Sequence, residues 1–131
     1  MANEYLKGLA HIGVRTQDMQ KSLDFYEKLG FTVDEQTALG ETKLAFIHVG
    51  TCILELIQAK NASLGDPDGV VAHIAIECVN LPEYLKSLQD MGLVGEVNVS
   101  TNPNFLDGVR NCFFRGPSNE NIELFDYYQR Y

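Results

Sequence analysis

The sequence predicts an α+β fold of two βαβββ modules that together form a curved mixed sheet around a cleft. Three observations predict it. The stretch AHIGVRTQDMQKSLDFYEKLGF (residues 10–31) returns as AHIAIECVNLPEYLKSLQDMGL (residues 72–93), which marks an internal repeat. In each copy a His lies between Ala and Ile of an apolar strand, an Asx follows seven positions on (Asp18, Asn80), and a Gly follows nineteen positions on (Gly30, Gly92). Each copy then closes in a strand with one glutamate among apolar residues, CILELIQ with Glu55 and NIELFDY with Glu123. The expected organisation is a single domain over 1–131, with module 1 at about 7–58, a linker at 59–69 and module 2 at about 70–128.

Over residues 8–15, Ala10, Ile12 and Val14 take one face of a strand and His11, Gly13 and Arg15 the other, the period of two that marks a half-buried strand. Asp18 is placed to cap a helix in which Met19, Ser22, Leu23, Tyr26 and Leu29 recur at helical spacing, and Gly30 fits a left-handed stop. Residues 31–38 read as a second strand, Leu39-Gly40 as a turn and 42–49 as a third strand. Gly50-Thr51 signals a tight hairpin into a fourth, 52–58, where Glu55 shares a face with Ile53 and Ile57 and opposes Leu54 and Leu56. AKNASLGDPDG (59–69) has turn formers and no apolar periodicity, as a linker does.

In the second module Ala72, Ile74 and Ile76 alternate with Val71, His73 and Ala75. Asn80 and Pro82 open a helix with a buried stripe of Leu81, Leu85, Leu88 and Met91. Strands are expected at about 93–100 and 109–115, with the loop TNPNFLDG between them, before the strand carrying Glu123. Four strands and one helix leave much of a sheet uncovered, so neither module is expected to be stable alone. With a helix on one face of each sheet, alternation sends His11, Glu55, His73 and Glu123 to the other.

The composition bounds the function. With 45% hydrophobic and 21% charged residues the chain is ordinary globular material. It has no apolar run near the roughly 20 residues that span a membrane. The opening MANEYLKG lacks a signal core, so a cytoplasmic location is expected. A net charge of −8 argues against nucleic acid and anionic membrane surfaces as partners, leaving a small molecule. Cys52, Cys78 and Cys112 form no CxxC pair and sit in apolar strands, where reduced cysteine serves as a small buried hydrophobe.

A single His in an apolar strand is usually a hydrogen-bonded interior residue, and a single mid-strand Glu usually faces solvent. Here each Glu matches a His in its own repeat, on the face where a cleft is expected. Two imidazoles and two carboxylates suit one divalent first-row ion with positions left for substrate. The metal ligands are therefore expected to be His11, Glu55, His73 and Glu123. His48 has no counterpart in module 2 and reads as a surface or supporting residue. Arg15 shares the face of His11; a solvated strand end and a clamp for a substrate carboxylate are both open, and Arg110 and Arg115 are weaker candidates of that kind.

These motifs resemble the vicinal-oxygen-chelate superfamily, which includes glyoxalase I, extradiol dioxygenases, fosfomycin-resistance thiol transferases, methylmalonyl-CoA epimerase and bleomycin-resistance proteins. HIGVRTQDMQKSLDFYEKLGF, AHIAIEC, LELI and IELF carry the likeness, over about residues 7–128. It implies paired βαβββ modules around a metal cleft, and it is nearest to glyoxalase I, where the second ligand position is Glu as at Glu55; the epimerases usually have Gln there. The implied activity is a metal-dependent lyase isomerising a hemithioacetal of methylglyoxal through an enediolate, with Glu123 as principal base, Glu55 as its partner and Arg15 holding a substrate carboxylate. The implied cofactor is one divalent ion per site, zinc or nickel first, then cobalt, manganese or iron. A homodimer and a thiol adduct or thioester as ligand are implied as well. One departure stands out: the glyoxalase ELxxN pattern ends here in Ala59. The alternatives are an epimerase of an acyl thioester and a metal-free protein that sequesters a small ligand.

Overall fold

A computed structural model of the chain describes residues 3–60, 69–116 and 121–130. Most of the expected linker, residues 61–68, lies outside the described residues. The elements run β1 (Leu6–Arg15), α1 (Met19–Leu29), β2 (Thr32–Leu39), β3 (Thr42–Val49), β4 (Cys52–Gln58), β5 (Val71–Cys78), α2 (Leu81–Asp90), β6 (Ser100–Asn102), β7 (Val109–Arg115) and β8 (Asn121–Asp126). The βαβββ pattern thus occurs twice, in an α+β fold.

The first module orders its strands β2-β3-β4-β1, and the second orders them β6-β7-β8-β5, which is the same arrangement. In each, the first strand runs parallel to the last, and the remaining neighbours are antiparallel. The registers match as well. Gly13, two residues after His11, pairs with Glu55, and Ala75, two residues after His73, pairs with Glu123. The repeat therefore sets each glutamate at the same height relative to the histidine strand of its own module.

The chain divides into two compact units, His11–His73 on one hand and Met1–Ala10 with Ile74–Tyr131 on the other. The division cuts β1 and β5 and so departs from the edges of the sequence repeat. In the first unit, Met19 and Leu23 of α1 pack on Ala45, Ile47, Leu54 and Leu56. In the second, Leu81, Tyr84, Leu85 and Leu88 of α2 pack on Cys78, Cys112 and Leu124. The N-terminal segment belongs to that second core: Val79 N donates to Tyr5 O at 3.0 Å, and the Tyr5 ring stacks on Tyr84.

Both helices start where expected, with different acceptors. Asp18 caps α1 as expected, its Oδ1 accepting from Lys21 N at 3.1 Å, and Gly30 closes the helix at φ 114°. Asn80 makes no side-chain cap. Instead Asp126 Oδ2 accepts from Leu81 N at 3.1 Å, just as Gln58 Oε1 accepts from Met19 N at 2.7 Å. Each of these acceptors stands three residues after its module's glutamate, so the last strand of each module satisfies an orphan N–H of the helix.

Two expectations are corrected in the second module. Met91 is 61% exposed and closes α2 from outside, while Tyr84 fills the core. The strand expected over 93–100 shrinks to Ser100–Asn102. Gly92 takes φ 74°, Leu93 N returns to Leu88 O at 3.0 Å, and Gln89 Nε2 donates to Gly95 O at 2.9 Å. These bonds tie the segment to the helix end and take its backbone out of the sheet. Among the described residues no helix is long and apolar enough to cross a membrane.

Candidate metal centre

Strand alternation buries His11 completely on the face of its module opposite α1, with its ring edge-on to Phe46 at 5.0 Å. His73, at the start of β5, belongs to the same compact unit and is also buried. The two Nε2 atoms lie 3.2 Å apart. Glu55 Oε1 lies 3.5 Å from His11 Nε2 and 3.2 Å from His73 Nε2. An ion with bonds of about 2.0–2.1 Å in tetrahedral geometry holds its ligand atoms about 3.3 Å apart. The triangle of two imidazole nitrogens and one carboxylate oxygen therefore has the edges of one face of such a site. Chemistry and spacing both fit a divalent ion.

Gly13 makes room for the triangle. A Cβ there would lie 2.3 to 2.7 Å from three ring atoms of His73, much too close for a side chain. Gly13→Ala is expected to force the His73 ring out of line and to lower affinity for Zn²⁺ or Ni²⁺ by roughly 10–100-fold, the scale seen when the support of a ligand is lost. Calorimetric titration with the metal checks this, and unchanged affinity would mean that His73 is not held by this packing.

Burial pushes the Glu55 carboxyl up, but hydrogen bonds and charge from His11 and His73 more than offset it and hold the group lowered to about 2. The carboxylate is thus ionised in the fold. A group depressed in this way contributes stability that is full above its ordinary value of 4.5 and is lost as pH falls through about 2. The stability gap between metal-free wild type and Glu55→Gln is accordingly expected to narrow on acidification across that window. Urea midpoints taken at stepped pH measure it, and a gap of constant size would refute the assignment.

In the second unit Glu123 is buried at 3% exposure, and its Oε2 accepts from Asn111 Nδ2 at 2.7 Å. Asn111 pairs with Phe125, two residues beyond Glu123. The matching residue of the first module is Leu44, paired with Ile57 two residues beyond Glu55. The two glutamates are equivalent in register, and Glu123 has an amide partner, Asn111, where the first module has Leu44.

The other sequence candidates fall as follows. A guanidinium nitrogen of Arg15 donates to Gly69 O at 2.8 Å. Arg110 is structural: its Nε donates to the buried Asp126 at 2.6 Å. Arg115 is exposed. His48 forms a half-exposed pair with Asp34 at 2.7 Å, a surface role. Cys52 opens β4 in an exposed position, contrary to the buried one expected, whereas Cys78 and Cys112 are buried as expected. Burial pushes their thiols up, to about 12 and about 11, so neither is a nucleophile. Sequence reading missed Gly13, Phe46 and Asn111. Only the missing Cβ of Gly13, at the position of Ala75 in the repeat, offered a signal.

Comparison with known proteins agrees with this architecture. The family model described as Glyoxalase/Bleomycin resistance protein/Dioxygenase superfamily matches residues 8–124. Methylmalonyl-CoA epimerase from Mycobacterium tuberculosis is a structural neighbour with TM-score 0.77 and 16% identity, over 96% of this chain and 91% of that one. A variant of the Streptomyces coelicolor methylmalonyl-CoA epimerase in complex with 2-nitronate-propionyl-CoA aligns with TM-score 0.74 and 20% identity, over 92% and 97%. A hypothetical protein from Bacillus halodurans aligns with TM-score 0.71 and 20% identity, over 90% and 92%. No curated protein matches the sequence significantly. At these identities the structural likeness speaks for the fold alone.

Proposed function

This chain belongs to the glyoxalase/bleomycin resistance protein/dioxygenase superfamily, and on that footing we propose that it is a metal-dependent lyase of the glyoxalase I type, acting on a hemithioacetal of methylglyoxal. The observation that carries this is the ionised Glu55 carboxylate set against His11 and His73. Glu123, its counterpart in the repeat, is proposed as fourth ligand and base; its burial and its identical register support that role. A bound divalent ion, zinc or nickel by preference, would supply positive charge beside the oxygens of the substrate. Glu123 takes the proton from the hemithioacetal carbon, and the C–H electron pair moves toward the neighbouring carbonyl. The same carboxyl returns the proton to that neighbouring carbon while the hydroxyl proton passes from the oxygen of the first carbon to the former carbonyl oxygen, giving a thioester of a 2-hydroxy acid. Arg15 is proposed to hold a carboxylate of the thiol. With Ala59 in place of the patterned Asn, the thiol pocket differs from that of the glyoxalases.

Apolar residues exposed on the strands that carry the histidines, Leu9, Val71 and Ile74, support a homodimer, which sedimentation tests. The structural neighbours that are methylmalonyl-CoA epimerases support a second reading, the epimerisation of an acyl thioester. Zn²⁺- or Ni²⁺-loaded protein given methylglyoxal and glutathione should produce thioester absorbance in the ultraviolet. Silence there, with proton exchange at the α-carbon of methylmalonyl-CoA, would move the assignment to the second reading. No uptake of Zn²⁺, Ni²⁺ or Co²⁺ would favour a binding protein.

A further inference from the structure

Asn111 precedes Phe113 by two residues on β7, and Phe113 pairs with Glu123. Alternation therefore puts Asn111 on the face of that carboxylate. A carboxylate only accepts hydrogen bonds, so the amide must turn its Nδ2 toward Glu123 Oε2, where the separation is 2.7 Å. This also settles which amide atom is left over. Asn111 Oδ1 is buried and receives no hydrogen bond, an unfavourable state for a carbonyl oxygen. The fold does not require an amide here, because Leu44 occupies the matching position of the first module.

We propose that Asn111 orients the substrate: Nδ2 steadies Glu123, and Oδ1 accepts a hydrogen bond from a hydroxyl or N–H group beside the reacting carbon. Its role rests on the reading of Glu123 as the base, and it adds the chemistry of the substrate. A hemithioacetal carries a hydroxyl on the carbon that loses its proton. The acyl part of a methylmalonyl thioester presents only acceptors. Asn111 thus selects for a donor-bearing substrate and separates the two functional readings.

The test uses Co²⁺-loaded protein and two chelating probes, followed through the cobalt absorption bands. Acetohydroxamic acid can donate a hydrogen bond, whereas acetylacetonate can only accept. Asn111→Leu is expected to keep Co²⁺ uptake and to weaken acetohydroxamic acid about tenfold, the scale of one hydrogen bond, with acetylacetonate unchanged. Asn111→Ser, whose hydroxyl can donate and accept, should restore part of the loss. Equal weakening of both probes, or of neither, would overturn the role of Asn111. Wild-type protein that takes up no Co²⁺ overturns the metal reading and this role with it. Donor-selective binding without turnover of the hemithioacetal would overturn only the proposed reaction.

Discussion

Glu123→Gln is expected to slow proton exchange at the substrate carbon by roughly 10²–10⁴-fold, the usual cost of losing a general base. The substitution is close to isosteric. The new amide keeps an oxygen that can accept from Asn111 Nδ2, so the side chain should stay where Glu123 now lies. What it loses is the capacity to take a proton. Metal content should fall less than rate, because His11, Glu55 and His73 form their triangle in the other compact unit without it. Glu55→Gln should be milder, since its oxygen can still face both imidazoles. Exchange measured in deuterated water, beside metal content, reports on abstraction for either reaction type. Equal losses in the two variants with metal retained would make the carboxylates symmetric partners. Undiminished exchange in Glu123→Gln would leave Glu123 a ligand only.

Asp126→Ala is expected to destabilise the fold by about 3–5 kcal/mol, the scale for breaking a buried ion pair from one side. Asp126 is 1% exposed, and one of its oxygens accepts from both Arg110 Nε at 2.6 Å and Leu81 N at 3.1 Å. Removing it strips the first N–H of α2 of its acceptor and leaves the Arg110 guanidinium half-buried beside a gap. Asp126→Asn keeps an oxygen for Leu81 and should cost less. Urea unfolding followed by far-ultraviolet circular dichroism measures both. If Asp126→Ala cost no more than Asp126→Asn, the charge pair and the cap would not be what anchors α2.

The repeat made most of the fold legible. Period-two alternation around His11 and His73, apolar spacing in the helices and glycine stops are local signals, and they placed nine of the ten described elements close to where they lie. The segment 93–100 failed because Leu93 and Gly95 bond to the end of α2, a contact that strand propensity does not encode. Asn80 opens α2 as expected, but the acceptor for the N–H of Leu81 is Asp126, 45 residues further on, which no local signal could name. Cys52 looked interior because its strand is apolar, yet it stands at the exposed hairpin end.

For the candidate site, sequence alone singled out two His and two Glu in matching places of a repeat, each expected on the face away from its helix. Alternation is a property of the strand itself, so that selection needed no tertiary information. Tertiary structure decided how close they come and what surrounds them. The 3.2 Å approach of the His11 and His73 nitrogens depends on strands 62 residues apart in the chain and on the space left by Gly13. The depressed Glu55 carboxyl depends on that same approach. The difference between the glutamates, an amide from Asn111 against the Leu44 of the first module, arises on β7 and β3, which the repeat motif does not include. Distances and partners of this kind follow from packing between strands remote in sequence, and no periodicity within one strand can carry them.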